Sequence, residues 1–162
     1  MARRPPPDPD SAQAAWVAAL RMLAGRELPA AAIRQRLRRR GFSPTAIDQS
    51  VERLLSSRTI DDARVARAVA RSRAQIKRQG RGRILRELTA LGIASDIAEE
   101  AVADVFGEVD EGTLLDQALE RRLRGRVSLK DPAARRRVVA ALVRQGFAPD
   151  AVIRAVRTRG RG

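Results

Sequence analysis

The chain has 162 residues, a formal net charge of +14 and no cysteine, histidine or tyrosine. Those absences remove disulfides, Cys and His nucleophiles, His general bases and the common zinc sites together. The charge favours a polyanionic partner, either nucleic acid or an acidic protein surface, while an aromatic content of 2% speaks against a base-stacking platform for single strands.

Residues 1–10 are Pro-rich and charged and read as a disordered tail. They contain no apolar h-region, so they do not read as a signal peptide. No apolar run approaches the ~20 residues of a membrane span. The lack of cysteine fits a reducing cytosol, and the expected location is cytoplasmic. Ser11 is placed to cap a first helix carrying Trp16, Leu20 and Leu23, which Gly25 ends. Trp16, Phe42, Phe106 and Phe147 read as core or staple residues. Pro29 opens a second helix with Ile33 and Leu37 on one face and Arg34, Arg36, Arg38, Arg39 and Arg40 around it. Ser43 and Pro44 start a third, with Ile47, Val51, Leu54 and Leu55 apolar.

The end of the second helix recurs. Ile33, Leu37, Gly41 and Phe42 match Ile84, Leu88, Gly92 and Ile93, and again Val138, Leu142, Gly146 and Phe147. The glycines are 51 residues apart (41 to 92) and then 54 (92 to 146). A period of this length marks tandem structural repeats. Apolar residues four apart mark one helix face. Glycine then fits C′, where a left-handed backbone carries no Cβ penalty. The residue after it and the Leu four before it supply the apolar contact of a Schellman stop. Each copy is therefore helix, tight turn, helix.

A fourth helix begins at Asp61, its expected N-cap, with Ile60 and Val65 as the two halves of a hydrophobic staple and Asp62 in the first turn. It is expected to run to about Gln79, with Val65, Val69, Ser72 and Ile76 facing the core. Arg64, Arg67, Arg71 and Arg78 would form a basic face opposite, either a binding surface or simply solvated charge. Gly80-Arg81-Gly82 breaks this helix, as an inter-helix turn or an anion-binding nest. No P-loop signature is present. A looser acidic connector is expected over 107–112. The third unit then has Leu114, Leu115, Ala118 and Leu123 apolar, and Asp131-Pro132 as cap and first helical residue. The tail from Thr158 should fray.

The predicted organisation is all-α: three tandem three-helix repeats over 11–58, 59–106 and 113–158, with tails at 1–10 and 159–162, forming an elongated, curved array. The paired carboxylates Asp61-Asp62, Glu99-Glu100 and Asp110-Glu111 fit helix starts and solvated surface better than catalytic dyads. Nothing in the sequence assembles an active site, and neither metal nor cofactor is expected.

Three stretches then carry a family resemblance. They are Leu23-Ala-x-Arg26-Glu27 running to Leu37-x-x-x-Gly41-Phe42, then Ile60-Asp61-Asp62-x-x-Val65-Ala66-Arg67 leading to Arg71-Ser72-Arg73, then Gly80-x-x-x-Ile84-x-x-Glu87-Leu88-x-x-x-Gly92-Ile93. In order and spacing the chain resembles the RecX family of RecA regulators over roughly residues 12–158. It departs where members usually carry an aromatic, at Val65 and near Ala68 or Val69, and at Pro29 and Ala32, where a Ser cap and an acidic residue are common. The resemblance implies a protein without catalytic activity of its own that binds in the groove of the RecA–DNA filament; a monomer is expected because no long heptad seam appears. The resemblance also implies restraint of RecA's ATP hydrolysis, strand exchange and assisted cleavage of the SOS repressor. The arginines expected to meet RecA carboxylates or filament phosphates are Arg36, Arg39, Arg64, Arg67, Arg71, Arg78, Arg81, Arg83 and Arg86, because the guanidinium fork suits both anions. Gly41, Asp61, Asp62, Gly92 and Gly146 are expected to be structural. The alternative is a helix-turn-helix module that binds single- or double-stranded DNA without sequence preference. The helices after the turns begin with residues that offer little to base edges.

Overall fold

The computed structural model describes residues 8–124 and 127–160. Among them are nine helices and no strand: α1 (Ala12–Leu23), α2 (Ala30–Arg39), α3 (Pro44–Ser56), α4 (Asp62–Gln75), α5 (Arg81–Ala90), α6 (Ser95–Glu108), α7 (Glu111–Leu123), α8 (Pro132–Arg144) and α9 (Pro149–Gly160). Extensive helix packing stays within the triplets α1–α3, α4–α6 and α7–α9. The fold is thus an all-helical repeat array.

The glycine turns form as the spacing requires. Gly41, Gly92 and Gly146 have φ of 91°, 78° and 101°. In each turn the residue after the glycine donates its N–H to the carbonyl of the Leu: Phe42 to Leu37, Ile93 to Leu88 and Phe147 to Leu142. The glycine N–H donates to the carbonyl one residue further on, at Arg38, Thr89 and Val143. This is the double bond pattern of the Schellman stop. All three apolar pairs are buried.

The caps also form. Ser11, Ser43, Asp61, Asp110 and Asp131 each accept a backbone N–H from the first turn of the helix they precede. Hydrogen bonds from the Arg64 backbone hold the Asp61 carboxyl below its ordinary value against a smaller opposing effect of burial. The Thr113 hydroxyl and N–H do the same for Asp110.

Several apolar expectations fail for one reason: alanine, not the larger aliphatics, lines the closest helix contacts. In α1 the buried residues are Ala15, Ala18 and Ala19, while Trp16, Leu20 and Leu23 are half-buried at the edge of that core. The Trp16 ring lies under the Arg53 guanidinium at 3.9 Å. In α4 the buried stripe is Val65, Ala66, Ala70 and Ala74. That rotates the helix away from the expected face, leaving Val69 half-buried, Ser72 exposed and Ile76 65% exposed. Small side chains let α4 sit tightly on α6. Leu55 is likewise exposed. Ile60 and Val65 are both buried, but Ile60 joins the first unit's core and Val65 the second's.

Boundaries differ too. α4 stops at Gln75, four residues early, and Arg78 follows in a left-handed conformation with φ 50°. α1 stops at Leu23, two residues before Gly25. In place of a connector over 107–112, Gly107 and Glu108 finish α6 and Glu111 opens α7, leaving Val109 and Asp110 between them. α9 continues to Gly160 where fraying was expected; residues 161–162 lie outside the described residues. Of the tail expected over 1–10, residues 1–7 lie outside them as well. The carbonyl of Pro9 accepts from the Ser43 N–H at 2.9 Å, which ties the start of the described chain to the turn after α2.

Candidate polyanion interface

The repeat brings its basic residues together in places that linear spacing does not reveal. On α4, Arg64, Arg67 and Arg71 do share an exposed face. Because α4 packs along α6, that face looks onto the α6 acids. Arg67 pairs with Asp104 at 3.8 Å and Arg71 with Glu108 at 2.9 Å. Arg64 reaches back to Glu27 at 2.7 Å. All are half-exposed pairs, worth at most about 1 kcal/mol each. Arg78 does not belong to this face, because α4 has already ended.

Around α5 the arginines diverge. Arg81 pairs with Glu111 at 3.0 Å and stacks on the Phe106 ring at 4.7 Å. Arg83 pairs with Glu87 at 3.0 Å. Arg86 is exposed and forms no ion pair among the described residues. In the first unit, Arg36 and Arg39 line a concavity with Arg21, Arg26 and Arg40. Gly80-Arg81-Gly82 makes no anion nest. The Gly80 and Gly82 N–H groups donate to the carbonyls of Gln145 and Gly146 at 3.0 and 3.1 Å.

Those backbone bonds dock the start of α5 on the end of α8, beside a strongly basic concavity. It encloses about 480 Å³ at the seam of the second and third units. Lys77, Arg78, Arg83, Arg121, Arg122 and Arg144 line it, and no carboxylate does. Lys77 follows the end of α4, Arg121 and Arg122 lie in the last turn of α7, and Arg144 ends α8. Three helix C-termini converge, and their partial negative charge favours cations that lack carboxylate partners. Gln145 holds the wall. It donates from Nε2 to the Arg78 carbonyl at 2.6 Å and accepts from Arg122 at 3.0 Å. Arg78 donates to Gln117 at 3.0 Å. Lys77, Arg121 and Arg144 form no ion pair among the described residues. Beneath the cleft, burial pushes the Glu87 carboxyl up. Hydrogen bonds from Arg83 and Gln79 and the charge of Arg73 outweigh it, so Glu87 stays ionised below its ordinary range.

Of the expected contact residues, Arg78 and Arg83 line this cleft. Arg64, Arg67 and Arg71 form a separate row, Arg36 and Arg39 a separate cluster, and Arg81 and Arg86 lie elsewhere on α5. Sequence reasoning missed Lys77, Arg121, Arg122 and Arg144. Their only linear signal was position at helix C-termini, which reads as dipole compensation until the ends are seen to meet.

Among the described residues no group of three or more acidic side chains is placed to hold a metal ion. No helix there is long and apolar enough to cross a membrane.

Comparison with known proteins follows the same repeat. The model of the first three-helix domain of RecX matches residues 15–54, and that of the second matches 61–102. The chain is 35% identical over 138 residues to Regulatory protein RecX of Syntrophotalea carbinolica, covering 83% of this chain and 88% of that one. It is 36% identical over 138 residues to Regulatory protein RecX of Halorhodospira halophila, covering 83% and 81%. The crystal structure of RecX from Lactobacillus salivarius superposes with a TM-score of 0.79 at 20% identity, over 91% of this chain and 95% of that one. A further crystal structure of a regulatory protein RecX gives 0.80 at 18%, over 91% and 71%. At that identity the two crystal structures bear on the fold alone.

Proposed function

The chain belongs to the RecX family of regulatory proteins, and from that premise we propose that it binds the RecA–DNA filament and restrains RecA's ATP hydrolysis, strand exchange and co-protease activity. The chain acts here as a monomer in the cytoplasm, by binding and without chemistry of its own. The observation that carries this reading is the convergence of six cations, of which only Arg83 is paired to a carboxylate, in a cleft with no carboxylate in its lining at the seam of the second and third units. Such a cleft suits phosphates of the filament DNA or a carboxylate cluster on RecA. Arg64, Arg67 and Arg71, already paired to acids, form a secondary surface; Arg36 and Arg39 a third.

Arg78 supports the reading from another direction. It holds φ 50°, a conformation that costs a non-glycine residue about 1 kcal/mol or more. Glycine would be more comfortable there but carries no charge. We expect Arg78→Gly to leave stability unchanged or raised while weakening filament inhibition.

The test is RecA's DNA-dependent ATP hydrolysis on preformed filaments, titrated with the wild type and with a Lys77→Glu/Arg121→Glu/Arg144→Glu variant at two salt concentrations. Inhibition by the wild type at substoichiometric levels, persisting at the higher salt and lost in the variant, is the expected result. Arg67→Glu/Arg71→Glu should weaken inhibition less. Inhibition seen only when the protein coats the DNA at low salt would instead favour sequence-independent DNA binding, whose affinity falls steeply with salt.

A further inference from the structure

A groove of about 640 Å³ lies between α8 and α9. Val139, Ala140 and Ile153 form its apolar floor, and Arg135, Arg136 and Arg157 its rim. Ile153 is 49% exposed. The repeat provides internal controls for each of these features.

In the repeat alignment, Ile153 falls on Glu99 of the second unit and Asp48 of the first, both exposed. An exposed aliphatic is therefore not something the fold demands at this position. Gly160, which also lines the groove, falls on Phe106, and Arg135 falls on Arg81. In the second unit the Phe106 ring is buried with the Arg81 guanidinium stacked on it. The third unit keeps the arginine and lacks the ring. A Cβ at Gly160 would meet nothing closer than the Leu129 Cβ at 3.5 Å, an ordinary contact. The main chain at Gly160 therefore tolerates a Cβ.

The position of Arg136 separates this groove from the joints between units. Its equivalents are Ala31 and Gly82, small residues on which the glycine turns of the following units pack. Arg136 is too large for that role, so neither another unit nor a second copy stacks here in the same register. None of Arg135, Arg136 and Arg157 forms an ion pair among the described residues. An apolar floor inside an arginine rim matches one kind of occupant. We propose that the α8–α9 groove docks a segment of a partner protein that carries one bulky apolar side chain, aromatic by preference, between carboxylates. The anchor takes the place that Phe106 fills in the second unit, and the carboxylates meet the three arginines. This surface is distinct from the basic cleft and does not depend on the function assigned to it.

The test uses the full chain with its isoleucine δ1 methyl groups labelled for NMR, and two synthetic peptides: acetyl-Glu-Glu-Phe-Glu-Glu-amide and the same peptide with Ala for Phe. The Ile153 methyl signal should move saturably with the Phe peptide. The Ala peptide should bind at least about tenfold more weakly, the effect of leaving out one buried ring. Gly160→Phe supplies the ring internally and should abolish the shift with an unchanged circular dichroism spectrum. If that variant does not fold, Arg135→Glu carries the test and should weaken binding at least about tenfold. Equal shifts from the two peptides, or a shift that survives Gly160→Phe, would overturn the proposal. So would self-association of the wild type, by sedimentation, that Ile153→Glu abolishes, because the groove would then belong to a second copy.

Discussion

The joint between the first and second units and the joint between the second and third solve one problem with different chemistry. In each, the free N–H groups at the start of a unit's middle helix must find acceptors as the next unit packs against them. At the first joint a side chain supplies one: the Ala30 N–H at the start of α2 donates to Asp62 Oδ1 at 2.8 Å. Glu27 and Arg64 close the same seam at 2.7 Å. At the second joint the main chain does it, with Gly80 and Gly82 donating to the carbonyls ending α8. The apolar cores follow suit. The second and third units share one buried cluster, whereas the first unit has its own. The first joint adds a carboxylate bond and an ion pair to the close contact of Gly92 with Ala31. The second, the glycine joint, admits no side chain and fixes the geometry of the basic cleft beside it.

A methyl group inserted at either glycine turn meets an atom at 2.4 Å, main chain at the second joint and a side-chain Cβ at the first. A Cβ at Gly146 would lie 2.4 Å from the Arg83 nitrogen and 2.7 Å from the Gly80 oxygen, both main chain. The positive φ adds about 1–2 kcal/mol of its own. Gly146→Ala should therefore cost more than about 2 kcal/mol in urea unfolding and weaken any ligand of the cleft. Gly92→Ala meets instead the Ala31 Cβ at 2.4 Å, a side-chain atom that can be removed. A double-mutant cycle of Gly92→Ala with Ala31→Gly should show favourable coupling of about 1 kcal/mol. No coupling at all would mean that the first joint yields without strain.

The polar half of the comparison predicts a smaller effect. Asp62→Ala removes the acceptor from Ala30 and should cost about 1 kcal/mol, in the range of a lost N-cap. Asp62→Asn keeps an acceptor and should recover most of it. Hydrogen exchange would sharpen the point, with protection lost selectively at the start of α2. Uniform loss across all three units would indicate that the first unit does not open on its own.

The turns were legible in the sequence because their cause is local. Gly41, Gly92 and Gly146 each sit four residues after a buried Leu and one before a buried apolar residue, and chain-local geometry needs nothing more. Caps at Ser11, Ser43, Asp61, Asp110 and Asp131 were legible or near it for the same reason. The α4 face was not. Hydrophobicity ranks Val69 and Ile76 above Ala66, Ala70 and Ala74, but tight packing on α6 selects small volume over apolar area. Asp62 was read correctly as a first-turn acid, while its bond to Ala30 spans 32 positions and leaves no mark in any window of sequence. The cleft was hidden in the same way. Lys77, Arg121 and Arg144 become neighbours only once three helix ends meet.

The smallest effect should come from acid, and it bears on the floor of the glycine joint. Glu87 accepts from Gln79 and Arg83 and pairs with Arg73 at 2.8 Å. Its pKa is lower folded than unfolded, so its contribution is fully present above the ordinary glutamate value. It is lost as the pH falls through the lower, folded value. The carboxylate is partly exposed, so the contribution is no more than about 1 kcal/mol. Glu87→Gln should thus be less stable than the wild type at neutral pH, with the difference vanishing in acid below both pKa values. A difference that stays constant across that range would show that Glu87 acts by shape and hydrogen bonding, with its charge contributing nothing to the joint.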